Sequence, residues 1–166
     1  MPTLAQIYAE FPDRKVNIEI KKGGRPDIEE RVAAAIAAAD ATARTLVVSQ
    51  SRQTMQRFRQ ASKNQVATAS SKAELIVYWL LSLVHLTRLL DPPFQALQPP
   101  DKLKGIPIVT PGFVRAAHRA GLHVHVWTVN EPATMHELLD LGVDGLMTDR
   151  PDLLREVLID RGAWTS

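Results

Sequence analysis

A chain of 166 residues that is 45% hydrophobic can bury a sizeable core, which excludes a disordered chain and makes one domain, residues 1–166, the expected count. Its formal net charge of +2 is the small difference between 20 basic and 18 acidic residues scattered along the sequence, so no nucleic acid partner is implied. The absence of cysteine excludes a disulfide framework and a thiolate metal site, and the opening "MPTLAQIYAEFPD" lacks the regions of a secretory leader, so a cytoplasmic protein is expected.

Read in chain order, "KVNIEIK" is a short β-rich run followed by the helical pattern "DIEERVAAAIAAADATAR". "RTLVVSQ" precedes "SRQTMQRFRQA", and "QVATAS" precedes "KAELIVYWLLSLVHL". This last helix contains "LIVYWLLSLVHLT", apolar almost all round but shorter than the ~18 to 20 residues needed to cross a bilayer. A buried helix is expected there, and a membrane is not expected as a partner. The alternative is an interfacial patch with Tyr78 and Trp79 at headgroup level.

Five of the 11 prolines lie between Asp91 and Pro107, which predicts an ordered or semi-rigid loop. A helix then starts near Pro111 and ends at Gly121. "HVHVWTV" precedes "PATMHELLDLG", and "VDGLMT" precedes "PDLLREVLIDRG".

Five strands alternating with helices imply parallel pairing, as an open doubly wound sheet or as part of a (β/α)8 barrel. Period two places Val16, Ile18 and Ile20 on one face of the first strand and Asn17, Glu19 and Lys21 on the other. A central doubly wound strand would be apolar on both faces, whereas a barrel strand can turn polar on its inner face towards the catalytic end. The expected fold is therefore α/β, a partial TIM-type barrel of about five parallel strands. Trp127 and Asn130, just past a strand, would be the wall and rim of a substrate pocket, or a core Trp and a turn Asn. Thr148 and Asp149, before Pro151, read as helix caps.

The motifs "NIEIK", "WTVN", "GVDG" and "TD.P", in this order, resemble glycerophosphodiester phosphodiesterases, and the resemblance runs from Pro2 to about Leu158. It implies a barrel of the phospholipase-C-like type, in which "KVNIEIK" corresponds to the fourth strand. The chain then corresponds to strands four to eight of a truncated domain, since a full barrel takes about 250 residues.

The reaction implied is metal-dependent hydrolysis of a glycerophosphodiester to glycerol 3-phosphate and an alcohol, with Mg²⁺ or Ca²⁺ as the oxygen-liganded cation. By the same resemblance Glu19 corresponds to a metal carboxylate, Lys21 to a cation near the phosphate and Trp127 to a pocket residue. The family's His-Arg-Gly, Pro-Glu-Asn-Thr and Glu-x-Asp segments and the histidine ending its third strand, which bring both catalytic histidines and two more carboxylates, have no counterpart here. No catalytic residue is retained, and the chain alone is expected to be inactive.

The second strand ends in Gln50 and Ser51 where relatives often carry Ser-Phe. Among the histidines, His123 and His125 share a strand face and could bind a transition metal, but polar filling of a barrel interior is the expected role. His85, His118 and His136 read as packing or surface residues. Other readings are a noncatalytic remnant that self-associates, or pairs with a missing N-terminal segment, through an open strand edge, and a different phosphate-binding barrel.

Overall fold

The computed structural model describes residues 2–21, 25–103 and 105–164. The chain divides into two compact units, Met1–Ile76 with Pro92–Gln95, and Val77–Asp91 with Ala96–Ser166.

The first unit opens with α1 (Leu4–Glu10), which sequence patterning did not predict. A capping box starts it: Thr3 accepts from the Gln6 backbone N–H while the Gln6 side chain accepts from that of Thr3. Tyr8 fastens it, its buried hydroxyl 2.7 Å from Thr45 Oγ1. There follow β1 (Val16–Glu19), α2 (Ile28–Ala38), β2 (Thr45–Val48), α3 (Arg52–Ala61), β3 (Ala67–Thr68) and the start of α4 (Lys72–Leu83). The three strands form a parallel sheet in sequential order, with Glu19 opposite Val48 and Leu46 opposite Ala67. Strand β1 is its edge. The period-two reading of "VNIEIK" holds: Val16, Ile18 and Ile20 pack with Ile36, Val47 and Phe58, while Glu19 faces away and is exposed.

The second unit holds β4 (Ala96–Leu97), β5 (Lys102–Leu103), β6 (Ile106–Pro107), α5 (Pro111–Arg119), β7 (His123–Val126), α6 (Pro132–Asp140), β8 (Gly145–Leu146) and α7 (Pro151–Asp160). Strands β4, β7 and β8 form a second parallel sheet in that order, and β5 pairs with β6 antiparallel. The described strands thus include six parallel ones in two sheets, where about five in one array were expected. The extra strand and the hairpin lie in the proline-rich segment read as loop. A two-residue strand between glutamines and prolines carries no alternation; pairing along β7 makes it a strand.

Helix α5 follows the sequence reading. Thr110 accepts from the Phe113 N–H, Pro111 occupies the first turn, and Gly121, at φ +70°, reverses the chain beyond the end.

The expected burial of α4 is corrected. Tyr78 is fully buried, donating to the Ala116 carbonyl at 3.0 Å and meeting Phe113 edge-on, so it cannot serve at a headgroup level. Val77, Leu80 and Leu83 on the same helix are exposed. A segment apolar on every side does not reveal which side finds a partner. Among the described residues no helix is long and apolar enough to cross a membrane.

Candidate active site

In the first unit the ends of β1 and β2 and the start of α4 meet around an open depression of about 460 Å³, lined by Glu19, Ile20, Lys21, Gln50, Ser51 and Lys72. Each lining residue lies at or just past the C-terminal end of a parallel strand, where α/β folds expose loop side chains and helix N-termini. Sequence periodicity puts Glu19 and Lys21 on one face, and they form an ion pair there, with 37% and 78% of their side chains exposed. Ser51 caps α3 by accepting from the Thr54 N–H at 3.2 Å. Ser49 anchors the neighbouring strand ends by donating to the Ile20 carbonyl at 2.6 Å. Lys72 was not singled out from the sequence. Its signal was its place, directly after "ATASS" at a strand-to-helix turn.

The same unit contains a buried ion pair. Arg59 donates to Glu74 (2.8 Å), to Thr68 Oγ1 (3.1 Å) and to the Ala69 carbonyl (3.3 Å). Burial raises the Glu74 pKa, but hydrogen bonds from Arg59 and Ser71 outweigh it and hold the carboxyl below its ordinary value.

Trp127 belongs to the second unit, one residue past β7. Its indole N–H donates to the Gln98 carbonyl at 2.7 Å and its backbone N–H to Pro99, leaving the residue 37% exposed. It is an anchored, partly open ring and not a core Trp. Asn130 is neither a free rim nor a simple turn residue. Its carbonyl oxygen accepts from Thr148 Oγ1 (3.0 Å) and the Asp149 N–H (2.9 Å), and its amide donates to the Asp149 carboxylate (3.3 Å). The expected helix caps are corrected accordingly: α7 starts after Arg150 with no side-chain cap, and Thr148 and Asp149 instead tie the loop after β8 to the loop after β7.

The expectation that these two histidines fill an interior is corrected for His123, whereas His125 is half-buried beside the buried Gln98. His123 is exposed and sits 3.4 Å from Asp144, which also takes a hydrogen bond from the Val124 N–H (2.8 Å) and contacts His118 Nε2 at 2.9 Å. Burial raises Asp144, but these partners outweigh it and lower its pKa. His125 lies against β8, where a Cβ on Gly145 would come within 3.1 Å of its ring. "GVDG" therefore packs and staples β7 to β8. His123 and His125 stack with centroids 6.2 Å apart, and among the described residues no group of three or more His, Asp or Glu is gathered as a metal site.

The family model of the glycerophosphoryl diester phosphodiesterase family matches residues 1–153. The chain is 40% identical over 169 residues to a probable glycerophosphodiester phosphodiesterase 2 of Mycobacterium tuberculosis, covering 99% of itself and 62% of that relative. Its fold is similar to that of a glycerophosphoryl diester phosphodiesterase structure from Agrobacterium tumefaciens, with a TM-score of 0.72 at 19% identity over 98% of this chain and 66% of that one. It is also similar to an Oleispira antarctica phosphodiesterase solved with the product sn-glycerol-3-phosphate, with a TM-score of 0.63 at 17% identity, covering 95% of this chain and 61% of that one. The chain thus spans somewhat under two thirds of the length of these relatives.

Proposed function

The chain belongs to the glycerophosphoryl diester phosphodiesterase family, and from that premise we propose that it forms the phosphate-binding part of a partial barrel that hydrolyses glycerophosphodiesters to glycerol 3-phosphate and an alcohol. The observation that carries the reading is the pairing of Glu19 and Lys21 in an open depression beside Lys72 and the start of α3.

The two cations and the helix N-terminus suit the singly charged phosphodiester, whose nonbridging oxygens gain negative charge as the bond to the leaving alcohol breaks. An exposed ion pair is worth only about 0.2 to 1 kcal/mol, so substrate can draw Lys21 away from Glu19 at little cost. Trp127, in the second unit, is fixed through its indole N–H and keeps part of its apolar ring surface open, as a ring that contacts substrate carbons would.

A divalent cation, Mg²⁺ or Ca²⁺, would neutralise those oxygens and polarise phosphorus in the family reaction. The described residues of this chain do not fit one by themselves. Glu19 is the lone carboxylate lining the depression and is paired with Lys21, whereas hard cations want several oxygen ligands. In the family reaction Glu19 would be one ligand of a larger set, whose other carboxylates and acid-base histidines have no counterpart in this chain.

Release of glycerol phosphate tests this. The chain alone, with either cation, is expected to give none; supplemented with the N-terminal segment of a complete relative it gains activity, which Glu19→Gln removes. Turnover by the chain alone that Glu19→Gln abolishes would mean that other residues have taken over the missing roles. An active assembly indifferent to Glu19→Gln and Lys21→Ala would overturn the site assignment.

A further inference from the structure

The cation of the family reaction and the residues lining the depression of the first unit disagree. Glu19 is the one carboxylate in that lining, and the Lys21 ammonium already neutralises it. Among the described residues no group of three or more His, Asp or Glu is gathered as a metal site. Mg²⁺ and Ca²⁺ take roughly six or more oxygen ligands, so a single carboxylate shared with a lysine holds them poorly. The positive charge of this site is instead built into the chain.

Three chain segments are tied together so that two ammonium groups meet one open space. The Ile20 N–H donates to the Val48 carbonyl at 2.8 Å and Ser49 Oγ to the Ile20 carbonyl at 2.6 Å, which fixes the end of β1 against the end of β2. The Lys72 N–H donates to the Gln50 carbonyl at 3.3 Å, which fixes the start of α4 against the same strand end. Lys21 and Lys72 therefore line the depression together with Gln50 and Ser51. Ser51 Oγ accepts from Thr54, so its own O–H stays available to donate. Lys21 is 78% exposed, and Lys72 is exposed and forms no ion pair among the described residues.

Two lysines against one glutamate leave the lining with a net positive charge. A phosphodiester brings one negative charge to it, whereas a phosphate monoester near neutral pH brings close to two, and attraction grows with the charge. Opening the exposed Glu19–Lys21 pair to release the ammonium costs little. The site is thus better matched to the anion left after hydrolysis than to the diester before it.

We propose that this depression binds a phosphate monoester dianion without a divalent cation, with the Lys21 ammonium holding the place beside Glu19 that a metal ion would need. This rests on the reading of the depression as the phosphate site and goes beyond it: the chain holds glycerol phosphate more tightly than a glycerophosphodiester, and chelators do not release it.

Titration of the whole chain with sn-glycerol 3-phosphate tests it, followed by calorimetry and by backbone amide NMR shifts at Lys21, Gln50, Ser51 and Lys72. Binding is expected in EDTA and should change by less than about twofold when excess Mg²⁺ replaces the chelator, while glycerophosphoglycerol, a monoanionic diester, should bind severalfold more weakly. Lys21→Gln and Lys72→Gln should each weaken the monoester roughly fivefold or more. Glu19→Gln should tighten it about two- to fivefold, because the competing carboxylate is gone. All three side chains are exposed, and an unchanged urea midpoint shows each variant to be folded. Binding that requires Mg²⁺ and disappears in Glu19→Gln would overturn the proposal and leave the phosphodiesterase reading in place, since Glu19 would then be a metal ligand of this chain. Absence of binding, equal binding of the diester, or indifference to both lysine substitutions also overturns it. Turnover by the completed assembly judges the phosphodiesterase reading separately.

Discussion

The end of β1 and the end of β7 both carry family motifs, yet they use polar side chains in opposite ways. At the end of β1, Glu19 and Lys21 form an exposed ion pair, which is worth little and can be opened at small cost. After β7, Asn130 spends its side-chain amide on Thr148 and Asp149, and the Trp127 indole is tied to Gln98. A motif can therefore mark a group left available or a group used to lock a loop. Counting hydrogen-bond partners distinguishes the two.

Four substitutions would break or sharpen that contrast. The largest effect is expected at the buried pair of the same unit: Arg59→Ala strands Glu74, whose side chain is only 17% exposed, and should cost about 3 to 5 kcal/mol in urea unfolding. Asn130→Ala removes three hydrogen bonds, leaves the Asp149 N–H and Thr148 hydroxyl to find new partners, and should cost about 1 to 3 kcal/mol. If Asn130→Ala melts like the parent chain, the lock is illusory.

Acid should act through Glu74 and Asp144, both with folded pKa values held below the ordinary 4.5 and 3.8. For a depressed carboxyl the unfolded chain binds protons first. The stabilisation is then complete above the ordinary value and disappears as pH falls through the folded one. Unfolding midpoints should be flat down to about pH 5 and decline below it, and Glu74→Gln should flatten the decline while lowering stability at neutral pH. A decline of equal steepness in that variant would assign acid sensitivity to other groups. The smallest effect belongs to Glu19→Gln, which should shift stability by less than about 0.5 kcal/mol while removing activity from the completed assembly. Appreciable destabilisation would place Glu19 with the locks.

Much was readable before any coordinates. The alternation in "VNIEIK" set Glu19 and Lys21 on the side opposite Ile18, and the described helices begin close to Pro111, Pro132 and Pro151 as proline placement predicts. Local sterics and side-chain period act over a few residues, so a few residues suffice to read them. The partners of Arg59 lie up to 15 positions away in Glu74, and Asn130 meets Thr148 across 18; no local pattern encodes such meetings. The same holds for β4, a strand only because β7 pairs with it, and for His123, which Asp144 draws to the strand's exposed start.

The sequence by itself determined the five strand-helix pairs in their order, the family and the faces of β1, because period, proline and motif are properties of neighbouring residues. Only tertiary structure decided that Asn130 locks while Glu19 stays open, and that α4 buries Tyr78 yet exposes Leu83. Burial and hydrogen-bond satisfaction depend on what other parts of the chain bring alongside.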